Sequence, residues 1–388
     1  MNKIKVEPPQ FIANYPNYGI HPLLSVRDRL SVKTQLTGKG VTIAYLDAGF
    51  YMHPDIADRV AVHVDATTPD ILEAETVNHV DVTSWHGLMV SAIGSGDGHL
   101  SDGYYRGLAF ESNLVLIKVS NPQLQVKESD ILRGFEWLVE NHQRFNIRVV
   151  NVSVGGDKVS KDPKHPLHQC VKQLVEAGVA VVIASGNRET RRLVPPASAP
   201  EAIIVGGYND NNSADSQYWY GYHSNYGQAY NGMRKPDLIA PAEWIPSPIL
   251  PETFVEKEAK WLGALLNQVN SQTAIEDIIN KGYDDLNISE ERAKEADIVL
   301  YQDFQNRIFA HKLISRYYQY VDGTSVAAPI VSATIALMVQ ANPNLTVDQI
   351  RSSLQQSALP LETISSEQQG AGALQVDKAI QQAIQQRH

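Results

Sequence analysis

Five short stretches of the chain are apolar almost without a break: residues 41–46, 114–119, 147–154, 179–184 and 202–207. They are rich in Val and Ile, the signature of strands buried on both faces. Apolar residues recur at spacings of three and four near 86–94, 129–143 and 166–177, which predicts helices between the strands. Such alternation predicts an α/β protein of three layers, with a mostly parallel central sheet and helices on both faces. A longer apolar run, Ile330–Val339, predicts a buried helix. Leu23–Leu36 predicts a helix and a turn, with Gly38 and Gly40 as punctuation before the first strand. No internal repeat is evident.

The pattern also divides the chain. Residues 1–20, rich in Pro, Asn and Tyr, are expected to form an N-terminal arm on the surface. Residues 21–245 hold the strand–helix alternation and 319–388 complete the same domain. Residues 246–318 form a mainly helical insertion, with helical patterning at Lys257–Leu266, Ala274–Ile279 and Glu290–Leu313. That insertion reads as a helical hairpin packed on the sheet or, alternatively, as a cover or docking surface for a protein partner.

Composition narrows the class. A chain of 388 residues with 43% hydrophobic and 20% charged residues has the make-up of a globular protein with a large core. Its net charge of −10 argues against nucleic acid and anionic membranes as partners. No apolar run is expected to reach the length of a bilayer span. The first residues lack an apolar signal core, and Cys170 is the single cysteine, so no intrachain disulfide can form. A cytoplasmic location is the expectation, with Cys170 a buried filler on a helix.

Four positions carry candidate chemistry. Ser325 sits in Asp322-Gly323-Thr324-Ser325-Val326-Ala327-Ala328-Pro329, where a small-residue turn presents a hydroxyl at the start of the buried helix. A helix N-terminus favours negative charge on that oxygen, as a nucleophile requires, although a Ser there is more often only a cap. Asp47 ends the first strand, His86 opens a small-residue helix, and Asn187 closes the strand at 179–184. Each has a structural alternative. Asp47 could be a turn former, with Asp55 and Asp58 as rivals; His53 and His99 compete with His86; Asn187 could serve a left-handed turn. Gly87 favours His86, because it would let a substrate approach closely.

The order acid, base, amide, serine resembles the subtilisin-like serine proteases. The resemblance runs over roughly Gly38–Ile245 and Tyr320–Gln382. It includes Asn151-Val152-Ser153-Val154-Gly155-Gly156, Lys235-Pro236-Asp237-Leu238-Ile239-Ala240-Pro241 and Gly370-Ala371-Gly372-Ala373-Leu374. It implies that Ser325 attacks the peptide carbonyl, His86 carries the proton and Asp47 orients the imidazole, while Asn187 donates to the oxyanion. It further implies that Ser153, Val154 and Gly155 pair with an extended peptide. Arg188 would stand near the entrance to the specificity pocket, with Val194 narrowing its floor, which suggests acidic or polar side chains before the scissile bond.

Two departures stand out: His86-Gly87-Leu88-Met89 replaces the usual His-Gly-Thr-His, and Ala48 replaces the usual Ser or Thr. Only 46 residues precede Asp47, so no folding pro-segment is expected. The crossing from Pro241 to Gly323 takes 81 residues, 242–322, where relatives use a few tens. No cofactor is expected; Asp97 and Asp102, in a Gly-rich loop, are weak candidates for a structural calcium because their spacing does not match an EF-hand. A serine endopeptidase with restricted protein or peptide substrates is the leading expectation. A pseudoprotease using the cleft to bind peptides is the alternative, and an ester- or amide-hydrolase is a third.

Overall fold

The computed structural model describes residues 9–16, 23–74, 81–267 and 271–386. It divides into two compact units: one of residues 24–245 and 322 onward, the other of residues up to 23 with 246–321.

The larger unit is built on a nine-stranded sheet. In chain order its strands begin with β1 (Thr42–Asp47), β2 (Val60–Asp65), β3 (Leu72–Ala74) and β4 (Asn113–Lys118). They continue with β5 (Ile147–Val152), β6 (Ala180–Ala184), β7 (Ile203–Asn209), β8 (Tyr220–Gly221) and the strand Leu238–Pro241. Across the sheet the order is Leu238–Pro241, β7, β6, β5, β1, β4, β2, β3, with β8 on β7. All neighbours are parallel except the β2–β3 and β7–β8 pairs. β1 lies between β4 and β5, so the connections run outward from it in both directions. Such a switch leaves a crevice at the carboxyl ends of the strands.

The two-residue period of β1 sorts its side chains. Ala44 and Leu46 join one core cluster with Phe135 and Leu138 of the helix Glu128–Asn141 and Val171 and Leu174 of Pro166–Glu176. Tyr45 and Asp47 therefore project from the opposite face, where the Tyr45 hydroxyl meets Ser95 Oγ at 2.7 Å at the end of the helix Ser84–Ser95. The helix Thr324–Ala341 lies on that face too, against β5, β6 and β7. It is the one helix among the described residues with the length and hydropathy to cross a membrane, contrary to the expectation from sequence, and it is 89% buried within the protein.

In the smaller unit, Phe254–Leu266, Gln272–Gly282, Glu290–Lys294 and Ile298–Ala310 are helical. The hairpin expected from the pattern is thus four helices among the described residues. The expected continuous helix at 290–313 is broken, because the Asp297 side chain caps a new helix by accepting from Leu300 N. Phe11, assigned by sequence to a surface arm, is buried in this unit's core with Leu262, Phe304 and Ile308. Residues 1–8 and 17–20 of that arm lie outside the described residues.

Candidate active site

Asp47 ends β1 fully buried, and its Oδ1 accepts from His86 Nδ1 at 2.5 Å and from Ala48 N at 2.6 Å. Its Oδ2 is buried with no hydrogen-bond partner among the described residues. Burial alone would lower the His86 pKa, but the Asp47 charge and hydrogen bond outweigh it and hold the ring above its usual value. The His86 side chain remains 22% exposed.

Gly87 has a different reason from the one the sequence suggested. A Cβ there would collide with the Gly49 carbonyl oxygen and come within 2.8 Å of the Phe50 ring. The missing side chain lets the His86 helix close on the turn after β1. The rival histidines are otherwise engaged. His53 is buried and its Nδ1 accepts from Asp55 N at 3.1 Å, while His99 is exposed on a short turn.

Ser325 stands in the first turn of its helix, half-buried, with the backbone turned by Gly323 at φ 139°. Its N–H is one of the first-turn donors that have no intrahelical acceptor. Its carbonyl would normally accept from residue 329, but Pro329 has no N–H. Ser153 Oγ takes that place at 3.2 Å. Ser153 in turn accepts from Asn151 Nδ2 at 3.1 Å, and Asn151 Oδ1 accepts from Ser332 Oγ at 2.9 Å. A buried polar chain thus ties the Ser325 turn to the end of β5.

Asn187 is fixed on one side only. Its Oδ1 accepts from Thr324 N at 2.9 Å and Thr324 Oγ1 at 2.8 Å. Its Nδ2 lies 3.3 Å from where a Cβ on Gly323 would sit, so the donor end faces the turn before Ser325. Asn187, Ser325, Ser153, Val154, Gly155, Arg188 and Val194 line one cavity of about 870 Å³. Within that lining, Val194 Cγ2 lies 3.3 Å from where Gly155 would carry a Cβ. The structure therefore brings Asp47 to His86 and gathers Ser325 with Asn187 and Ser153, Val154 and Gly155. Among the described residues, Ser325 Oγ makes no hydrogen bond to His86.

Sequence reasoning missed Thr324 as the group that orients Asn187, and Lys158 and Lys161 as cavity-lining residues. Thr324 lay in the octapeptide that singled out Ser325; the two lysines had no local signal. A second His–Ser pair, His168 Nε2 to Ser198 Oγ at 2.8 Å, is a structural contact. Both residues are buried, His168 Nδ1 meets a backbone carbonyl instead of a carboxylate, and burial lowers the ring's pKa. Burial likewise pushes the Cys170 thiol up to about 11, far from a nucleophile's range. Asp97 Oδ1 accepts from His99 N, and the described residues contain no group of three or more His, Cys, Asp or Glu able to hold a metal ion.

Residues 38–372 match the model of the subtilase family, and the chain belongs to that family of serine proteases. It is 28% identical over 353 residues to serine protease AprX of Bacillus subtilis (strain 168), covering 89% of this chain and 67% of that one. It is 31% identical over 187 residues to subtilisin BL of Lederbergia lenta, covering 48% and 62%. Among solved structures, fervidolysin from Fervidobacterium pennivorans, a keratinolytic enzyme related to subtilisin, superposes with a TM-score of 0.62 at 20% identity. That match covers 97% of this chain and 51% of the other. The protease domain of PatA gives 0.59 at 19%, covering 90% and 98%. These likenesses support a subtilisin-like serine endopeptidase on a subtilisin-like fold.

Proposed function

We propose that the chain hydrolyses peptide bonds with Ser325 as nucleophile, His86 as general base and then acid, and Asp47 as the group that orients the imidazole. The observation that carries this is the short Asp47–His86 bond at the carboxyl end of β1, on the face where the Ser325 helix packs. In this reading, Asp47 fixes the tautomer that leaves Nε2 free to take the serine proton, and the raised ring pKa matches a base that must hold the proton through the tetrahedral intermediate. The Ser325–His86 hydrogen bond would form as substrate seats, since such contacts commonly tighten only in the complex. Asn187 Nδ2 and Ser325 N–H would receive the oxyanion, because Thr324 holds the amide oxygen away from it. Ser153–Gly155 would pair with the extended substrate. A restricted range of protein or peptide substrates fits a cavity lined by Lys158, Lys161, Arg188, Arg191 and Arg192.

Initial rates on an internally quenched peptide library test the assignment. Ser325→Ala should lose about 10⁶-fold in kcat, and Asn187→Ala roughly 10²- to 10³-fold with KM little changed. Peptide binding by the intact chain without turnover would instead favour a binding module. An Asn187→Ala rate within a few-fold of wild type would remove that residue from the oxyanion site.

A further inference from the structure

The protein carries a net charge of −10, yet the cavity beside Ser325 is lined by Lys158, Lys161, Arg188, Arg191 and Arg192 against the single carboxylate of Asp157. Arg191 is engaged, bonding Glu367 at 2.7 Å and stacking on Tyr226. The neighbouring Glu189 is not among the lining residues and meets Gln368 at 3.4 Å. Among the described residues, Lys158, Lys161, Arg188 and Arg192 make no ion pair. Four unneutralised cations around one cavity repel each other, in a chain with carboxylates to spare. An adjoining cavity of about 370 Å³ shares Lys161, Arg191 and Arg192 and adds Arg234 together with Glu367, the partner of Arg191.

A second observation is independent of these charges. Ser185 also lines the cavity, is 4% exposed, and its Oγ has no hydrogen-bond partner among the described residues. Buried hydroxyls are normally satisfied, so this one is available to a polar ligand atom. If the scissile carbonyl lies at Ser325 with its oxygen toward Asn187, the side chain on the same residue enters the cavity those two residues line.

We infer that the enzyme selects a carboxylate side chain, Glu or Asp, immediately before the bond it cleaves. The inference rests on the proposed catalytic reading. Arg188 and Arg192 supply charge-assisted donors, the two lysines add field, and Ser185 Oγ donates a further hydrogen bond. The cations are exposed, so each contributes modestly and the effect is salt-sensitive.

Four peptides that differ only in having Glu, Gln, Phe or Lys at that position provide the test, with a fluorophosphonate probe run alongside. Glu should be cleaved with kcat/KM roughly 10-fold above Gln at low salt, a ratio several such pairs would give. The ratio should fall toward one in about 1 M salt, where the Debye length is near 3 Å. Arg188→Glu combined with Arg192→Glu should bring the Glu:Gln ratio below one and raise Lys cleavage, and Ser185→Ala should narrow the ratio. Probe labelling of Ser325 with Gln or Phe cleaved as fast as Glu would overturn the inference and leave the catalytic reading standing. An absence of both labelling and cleavage would overturn the two together.

Discussion

Asp47→Asn removes one charge and almost no volume from the centre of the site. In the native protein the carboxylate is fully buried, and one oxygen, Oδ1, serves both His86 Nδ1 and Ala48 N–H. Because Ala48 N–H needs an acceptor, it should keep the amide oxygen of the substituted side chain at the Oδ1 position. The imidazole would then retain its Nδ1–H tautomer and lose only the charge-assisted part of the bond. A hydrogen bond to a charged group contributes about 1.5–3 kcal/mol and a neutral one about 0.5–1.5. With the added loss of long-range attraction for the imidazolium, kcat should drop about 10²-fold, short of the roughly 10⁴-fold expected when the tautomer inverts. The pH profile carries the sharper signal. Native kcat/KM should rise as the imidazole loses its proton, with a midpoint above 6.5, because Asp47 overcomes the effect of burial. Without that charge burial dominates, and the midpoint should fall below 6.5. The stability tied to the pair has the matching sign: it is full below the ordinary histidine value and is lost as pH rises through the raised one. Initial rates on a quenched peptide between about pH 5 and 9 check this, and a midpoint that stays put or moves up would refute the reasoning.

Two further outcomes follow from buried polar groups. Burial holds the His63 pKa down to about 4 from 6.5, so the unfolded chain binds an extra proton between those values and stability should fall as pH drops through that window. At about 1.36 kcal/mol per unit the loss is roughly 3 kcal/mol; denaturant melts of His63→Leu should show a flatter fall than native protein, and parallel curves would contradict the assignment. Asn151→Ala leaves the Ser332 and Ser153 hydroxyls without their partner. It should destabilise the fold by about 2–4 kcal/mol and lower kcat more than it raises KM, because Ser153 supports the Ser325 turn; an equal loss of stability with kcat unchanged would separate that chain from catalysis.

What could be read along the chain was what local sequence determines. β1 and β4 to β7 are near-continuous apolar runs because parallel strands covered on both faces need them, and the expected boundaries fall within a few residues of those observed. β2 was not anticipated: only His63, Val64 and Val62 are buried, and its mixed pattern does not repeat cleanly. The helices Val347–Ser357 and Val376–Gln385 were likewise missed, being Gln-rich with a narrow apolar face. The helix and turn expected over 23–36 appear as a helix of only four residues, Val26–Arg29, after which Ser31 takes φ 50° and Arg29 is drawn into a buried pair with Asp210 at 2.7 Å. That partner is 181 residues away and leaves no trace in the local pattern. The same holds for the site. Ser325, His86, Asp47 and Asn187 stood out by their places at strand ends and helix starts together with a chain order that resembles a known family, whereas the chain from Ser332 through Asn151 to Ser153 and the gathering of Lys158 and Lys161 with Arg188 exist only once the sheet has brought them together.

The account stands on an activated hydroxyl at one position, and covalent labelling reads that most directly. Native protein treated with a fluorophosphonate should carry a single adduct, located by tandem mass spectrometry on Ser325, and His86→Ala should form it at least a hundredfold more slowly. An adduct on another serine, or labelling of Ser325 that proceeds unchanged without His86, would contradict the account.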